Sequence, residues 1–435
     1  MALDVKFLVS EIKEQYLDQG EQPWIVGFSG GKDSTMLLQL VWTALKEIPA
    51  EDRKRHVYVI CNNTLVENPI ILEYVDDVLK KIEEAAFAQE LPITVDQTTP
   101  RLEDSFWVNM IGKGYPAPNN VFRWCTERLK INPTTRYILE KINSHGEAII
   151  LLGTRSDESA TRAKSMKRHE IKGSRLRAHP LPNAHAFTPI KDVITDEVWQ
   201  YLLQVNSPWG ASNKKLVNLY RNASGGDCPL ITDIKTPSCG QSRFGCWVCT
   251  VVRKDASMEG LIEYGEEWME PLLEIREYLM MSRDAHKEGD DNYRMKVRRN
   301  GAAGIGPYYP EIRKHILTSI LKAQKVIQDE QPRTNLITHQ ELVAIQVLWY
   351  RDNIFDFNVA EIYNEIFEQE LDLSQLDENL IREKELLKEV CKDNPEDFSL
   401  INDLLSLQKS RIILMNKYGL QKDMEKKLER FLAKS

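Results

Sequence analysis

A strand, a glycine turn and a helix in immediate succession near the start of the chain limit its fold more than any other feature. The apolar run Pro23-Trp24-Ile25-Val26-Gly27-Phe28 leads straight into Ser29-Gly30-Gly31-Lys32-Asp33-Ser34-Thr35. An amphipathic stretch with Met36, Leu37, Leu40, Val41 and Leu45 then runs to about Glu47. Glycines let the backbone turn tightly and present free N–H groups, and a helix N-terminus adds partial positive charge, so an anion is favoured at this point. Lys32 adds a formal charge, while Ser29, Ser34 and Thr35 offer hydroxyls. The loop is not a Walker A sequence, which carries Ser or Thr after Gly-Lys; Asp33 follows Lys32 instead. A carboxylate beside phosphate repels it unless it orients a metal or a reacting group.

The alternation continues downstream. Residues 1–20 read as a helix, strands are expected at 56–61, 91–95 and 148–152, and a helix at 69–89. The Asn132-Pro133 pair reads as the cap and first turn of a helix ending near Asn143. Such alternation predicts an α/β fold, a doubly wound parallel sheet with helices on both faces. Ligands then gather at the C-terminal strand edge, which collects the segments after Phe28, Cys61 and Leu152. Residues 1–205 form this expected domain. From 206 to 260 Gly, Ser, Asn, Pro and Cys dominate, as in a loop-rich module that needs a cross-link. Residues 261–435 return to helical spacing, with a charged tail from 361 that breaks at Pro395.

With 435 residues, 42% of them hydrophobic and 28% charged, the composition is that of a soluble globular chain. Its net charge of −8 does not point to nucleic acid directly. Locally, Arg162, Lys164, Lys167, Arg168, Lys172, Arg175 and Arg177 stand against the single acid Glu170. That density suits either a polyanion backbone or a solvated loop. Arg294, Lys296, Arg298 and Arg299 form a smaller basic cluster before the glycine-rich stretch Gly301 to Gly306. No apolar run is long enough to span a membrane, and Met1 to Phe7 lacks the basic and apolar regions of a signal peptide. The cysteines number seven, and four of them fall within 22 residues. A local metal or redox site in a reducing cytoplasm is the expectation.

Two further segments carry chemistry. Gly153-Thr154-Arg155-Ser156-Asp157-Glu158-Ser159-Ala160-Thr161-Arg162 follows the fourth expected strand. Gly153 permits close backbone approach, and Arg155 and Arg162 suit bidentate contact with phosphate; the alternative is a helix start with Glu158 and Arg162 paired. In Cys239-Gly240-Gln241-Ser242-Arg243-Phe244-Gly245-Cys246-Trp247-Val248-Cys249, the spacing of Cys246 and Cys249 lets two thiolates face one centre. Cys239 is near enough for a third ligand, with Cys228 or the distant Cys125 as a fourth. Zinc and an iron–sulfur cluster both suit such a site, and disulfide exchange through Cys246 and Cys249 is the other option.

The Ser29–Thr35 loop resembles the signature of PP-loop ATP pyrophosphatases. The Gly153–Arg162 segment resembles the PAPS-reductase branch of that superfamily, as do Arg123 to Pro133 and Pro189-Ile190 with Val198-Trp199. A closer resemblance is carried by Thr236 to Cys239, Arg243 to Val252, Arg123-Trp124-Cys125-Thr126, Pro208-Trp209-Gly210, and Gly306-Pro307-Tyr308-Tyr309 ahead of Arg313. These look like the DndC-type sulfurtransferases of bacterial DNA phosphorothioation, over roughly residues 20–350.

The resemblance implies a PP-loop ATPase sheet that binds ATP with Mg²⁺ on Ser29, Gly30, Gly31, Lys32, Asp33, Ser34, Thr35 and Gly153. It implies Lys32, Asp33, Arg155 and Arg162 as catalytic residues. Lys32 and Arg155 would stabilise the departing pyrophosphate, and Asp33 would orient Lys32 or the metal. It implies a [4Fe–4S] cluster on Cys125, Cys239, Cys246 and Cys249, with Cys228 in reserve, while Cys61 and Cys391 read as structural. The partners implied are DNA, a cysteine desulfurase as sulfur donor and other phosphorothioation proteins. The alternatives are a tRNA sulfurtransferase, a PAPS or APS reductase, and an ATP-binding scaffold without turnover.

Overall fold

Short apolar strands flanked by amphipathic helices require a sheet covered on both faces, and the computed structural model has that form. It describes residues 3–18, 20–158, 160–171, 173–223, 245–298, 303–352 and 354–368, with short stretches between 382 and 405. Two compact units are present, one of residues 1–100 with 123–273, the other of 101–122 with 274–435.

In the first unit, Asp4 caps α1 (Val5–Leu17) by accepting from the Phe7 N–H. There follow β1 (Trp24–Gly27), α2 (Lys32–Glu47), β2 (Val57–Asn62), α3 (Pro69–Ala88), β3 (Ile93–Thr98), α4 (Asn132–His145) and β4 (Ala148–Leu151). After these come α5 (Ala160–Arg168), β5 (Leu176–Ala178), β6 (Ala184–Phe187), α6 (Thr195–Gln204), α7 (Asn213–Asn222) and α8 (Ala256–Glu263). Among the described residues the sheet has six strands in the order β3-β2-β1-β4-β6-β5. All its pairs are parallel except β5 with β6. Val26 pairs with Val59 on one side and Leu151 on the other. Strand alternation sends Trp24, Val26, Val57 and Val59 to a core shared with α1, α2, α3 and α6, and Ile25, Ile60 and Ile150 to a smaller core under α4. The chain winds outward through β2 and β3, then returns to the other side of β1 as β4. The switch between β1 and β4 opens a crevice at their C-terminal ends.

Three local readings change. The stretch read as a basic loop, 162–177, holds most of α5 and runs into β5, which pairs antiparallel with β6 at the sheet edge. Arg177 is buried in β5, and Arg175, partly exposed, pairs with Glu11 and Glu14 of α1. Asn132 does not cap α4. A π-helical turn, Thr126–Ile131, runs into that helix without a break. Pro133 lacks the N–H that would bond the fourth residue back and its ring crowds that carbonyl, which a wider turn relieves.

The second unit is helical, with α9 (Glu270–Asp284) leading in and α10 (Pro310–Glu330), α11 (His339–Arg351) and α12 (Val359–Phe367) following. The excursion 101–122 belongs to its core. Trp107 Nε1 donates to Leu336 O at 2.7 Å, and Trp349 Nε1 to Ile111 O at 2.9 Å. Buried Arg313 binds Gly112 O at 3.3 Å and Asp352 at 2.9 Å. Among the described residues no helix is long and apolar enough to cross a membrane.

Candidate active site

Gly30 takes φ +71°, and a Cβ there would stand 2.4 Å from Val75 Cγ2, so the turn and the wall of α3 both demand glycine. Gly31 starts α2 with no side-chain cap, which leaves first-turn N–H groups of the helix available at the loop. Ser34 braces the loop from within. Its hydroxyl donates to Gly31 O at 3.0 Å and accepts from the Ser29 N–H at 3.2 Å. Thr35 is buried behind the loop, and its hydroxyl has no partner among the described residues.

A cleft of about 920 Å³ opens from this loop along the ends of β2 and α3 to Glu67 and Lys130. It has room for a nucleoside triphosphate, with a glycine cradle and a helix N-terminus at one end. The residues present therefore fit ATP.

Lys32 Nζ lies 3.2 Å from Asp33 Oδ2, and Arg155 Nε donates to Asp33 Oδ1 at 2.6 Å. Arg155 is 1% exposed. Its other donors reach Val193 O at 3.0 Å, Thr195 Oγ1 at 3.1 Å and Asp157 Oδ2 at 3.4 Å. The sequence reading assigns Arg155 to phosphate; the structure aims its guanidinium at Asp33, because β4 ends beside the N-terminus of α2. Gly153 makes that approach possible, since a Cβ there would stand 2.9 Å from Asp33 O and 3.1 Å from Ser34 N. Both Asp33 oxygens are thus paired, Oδ1 with Arg155 and Oδ2 with Lys32. Arg162 lies on α5, and its side chain is outside the described residues.

Beside Glu67, at the far end of the cleft, lies the sulfur of Cys246. Trp247 N donates to Val66 O at 3.1 Å and Asn68 N to Gly245 O at 3.3 Å, which lays Cys246 against Glu67. Cys246 Sγ lies 3.3 Å from Thr64 Oγ1 and 3.9 Å from Glu67 Oε1, and Lys130 Nζ lies 3.9 Å from the same Glu67 oxygen. Burial and Glu67 push the Cys246 thiol up to about 12. The Lys130 pKa is raised above its usual value by Cys246, against burial, and further by Glu67, Cys249 and Cys125. Cys125, Cys246 and Cys249, three of the four ligands implied by resemblance, are near enough to Lys130 to act on its pKa. Cys239 and Cys228 fall outside the described residues. Among the described residues no three His, Cys, Asp or Glu side chains are grouped to hold a metal ion, so these residues alone do not complete a cluster site. Cys61, read as structural, is buried and also lines the cleft.

Sequence reasoning did not single out Glu67, Thr64 or Tyr220, and it marked Lys130 only as the lysine of the Arg123 to Pro133 segment, without a role. Glu67 and Thr64 carry no spacing signal, because the segment before α3 and the cysteine segment meet only in the fold. Tyr220 lies on the apolar side of α7 with Leu216, at a spacing that reads as core.

Comparison with known proteins gives the following likenesses. An uncharacterized protein of Methanocaldococcus jannaschii is 25% identical over 268 residues, 61% of this chain and 44% of that protein. This chain thus spans less than half the length of that relative. The phosphoadenylyl-sulfate (PAPS) reductase of Candida auris is 11% identical, with a TM-score of 0.30, over 50% of this chain and 92% of that one. The U34-tRNA thiolase NcsA of Methanococcus maripaludis, solved with its [4Fe–4S] cluster, is 12% identical, with a TM-score of 0.29, over 66% of this chain and 82% of that one. Residues 23–252, more than half of the chain, match the model of the phosphoadenosine phosphosulfate reductase domain. They contain the loop, the Arg155–Asp33 pair and the cysteines around Lys130, and the chain belongs to the phosphoadenosine phosphosulfate reductase domain family.

Proposed function

We propose that this chain is a PP-loop ATP pyrophosphatase and sulfurtransferase that activates a DNA backbone phosphate for phosphorothioation. One observation carries the reading: a single cleft runs from a phosphate loop whose lysine is paired with Asp33 to Glu67 and Lys130, and the Glu67 carboxylate lies 3.9 Å from Cys246 Sγ. The resemblance to DndC-type sulfurtransferases supplies the substrate, and the reductase domain family supports sulfur chemistry on an adenine nucleotide.

A non-bridging oxygen of the DNA phosphate attacks the α-phosphorus of ATP, the α–β bridging bond breaks, and pyrophosphate leaves. Lys32, oriented by Asp33, meets the charge that develops on the departing group, and Arg155 holds Asp33 in place. Mg²⁺ would enter with the nucleotide and neutralise its phosphates. Sulfur at the sulfide level then attacks the activated DNA phosphorus, and AMP departs with the oxygen. A separate cysteine desulfurase and a thiol reductant supply that sulfide. Cys125, Cys246 and Cys249, with Cys239 or Cys228, are assigned to a [4Fe–4S] cluster, whose chemistry would be to hold sulfide. The setting is the cytoplasm, with other phosphorothioation proteins as partners.

The test is mass spectrometry of nuclease-digested DNA and tRNA from cells carrying the complete system, with the parent chain or Asp33→Ala. A sulfur-for-oxygen shift on a DNA dinucleotide, lost in the variant together with pyrophosphate release, is the expected result. A shift on a tRNA base would make this a tRNA sulfurtransferase. A second reading, sulfonucleotide reduction, is favoured by the matched domain family; release of sulfite from PAPS or APS by the purified chain would establish it.

A further inference from the structure

Tyr220 has no part in the proposed reaction, yet its side chain sits against the phosphate loop. With Leu216 and Leu219 of α7 it lines the cleft. A Cβ built on Gly31 would stand 3.4 Å from its hydroxyl, which places that hydroxyl at the start of α2 beside the backbone N–H of Lys32, near enough for the N–H to pull the phenol pKa down against burial. This N–H belongs to the first turn of α2, whose donors have no partner within the helix and are the groups a phosphate takes up. The Tyr220 ring lies 5.6 Å from Lys32 Nζ, within cation–π range. The ring also meets Trp199 edge-on, with centroids 4.9 Å apart. One side chain therefore lies beside both the backbone donor and the ammonium of the residue that must meet the nucleotide.

We propose that Tyr220 is a positioning residue of the nucleotide site, its hydroxyl reserving the Lys32 N–H until a phosphate oxygen replaces it and its ring keeping the Lys32 ammonium in the cleft. The inference rests on the reading of the loop as an ATP site. Burial and Asp33 push the phenol pKa up, so Tyr220 stays neutral. An ionised phosphate oxygen is the stronger acceptor and displaces it.

Calorimetric titration of the full chain with inorganic pyrophosphate tests the hydroxyl. Tyr220→Phe removes the competing acceptor, so it binds pyrophosphate about five-fold more tightly, the equivalent of one ordinary hydrogen bond. Equal or weaker binding overturns the proposal. A parent chain that binds neither pyrophosphate nor ATP overturns the ATP reading, and this inference with it. Hydrogen exchange on the unaltered chain is independent of any folding defect: amides of residues 213–222 exchange faster once pyrophosphate is added, and unchanged or slower exchange overturns the displacement of Tyr220. For the ring, Tyr220→Leu releases pyrophosphate from ATP more slowly than Tyr220→Phe; equal rates remove the ring from the proposal.

Discussion

Arg155 Nε and Asp33 Oδ1 meet at 2.6 Å although 122 positions separate them in sequence. The contact ties the loop after β4 to the first turn of α2, across the switch point of the sheet. It turns the second oxygen of Asp33 toward Lys32 at 3.2 Å. Arg155 also binds Val193 O and Thr195 Oγ1, so one guanidinium fixes three segments at the mouth of the cleft.

Removing that guanidinium leaves Asp33 without its buried partner. Arg155→Met is expected to destabilise the α/β unit by about 3 kcal/mol and to slow pyrophosphate release. Arg155→Lys should not restore either, because an ammonium lacks the planar fork that reaches Asp33, Val193 and Thr195 together. Thermal unfolding and a pyrophosphate assay check this. A methionine variant with parental melting and release would show that Asp33 needs no holder.

Gly153→Ala places a methyl group 2.9 Å from Asp33 O, and backbone must move to admit it. A cost of about 1–3 kcal/mol is expected, with pyrophosphate release reduced about ten-fold through displacement of Lys32. Melting temperature and turnover, measured on the same preparation, decide. Parental values for both would mean that the β4 loop yields without disturbing α2.

Cys246 Sγ lies 3.3 Å from Thr64 Oγ1 and 3.9 Å from Glu67, a residue of the cleft wall. Cys246→Ser, purified without oxygen, is expected to lose most of its iron and the associated visible absorbance. Iron content equal to the parent would remove Cys246 from the ligand set.

A pH effect is expected away from the cleft. The ring of His56 packs on Tyr58 with centroids 4.6 Å apart, and its Nε2 lies 2.8 Å from Thr94 Oγ1. Burial, then Lys141 and His145, hold its pKa below the usual 6.5, against a weaker opposite pull from Asp96. The unfolded chain protonates this histidine near pH 6.5 while the folded chain does not. Stability from this group is therefore complete above 6.5 and declines as pH falls below it. Melts at pH 7.5 and 5.5 should show a smaller acid loss for His56→Gln than for the parent; identical losses would assign the effect to other groups.

The loop from Ser29 to Thr35 was legible because its chemistry is local: glycines, a following amphipathic run and a preceding apolar strand stand in one stretch of sequence. β5 and β6 were not, since three or four residues among arginines and prolines carry too little alternation to register as strands. Arg155 shows the limit for sites. Its presence after β4 could be read, but the direction of its guanidinium depends on where β4 ends relative to α2. Tyr220 shows the same limit more sharply, because a tyrosine on an apolar helix face gives no sign that its hydroxyl meets a phosphate loop 188 residues earlier.

The excursion of residues 101–122 has a consequence for biosynthesis. Trp107 hydrogen-bonds Leu336, which leaves the ribosome 229 residues later. At about 5–20 residues per second, that interval is roughly 10–50 s. Through it, Phe106, Trp107, Val108, Met110 and Ile111, all buried in the finished unit, lack their later-made helical partners on the nascent chain. Holding chaperones and the pace of translation should thus govern the yield of this protein in a way that the stability of its completed form does not reveal.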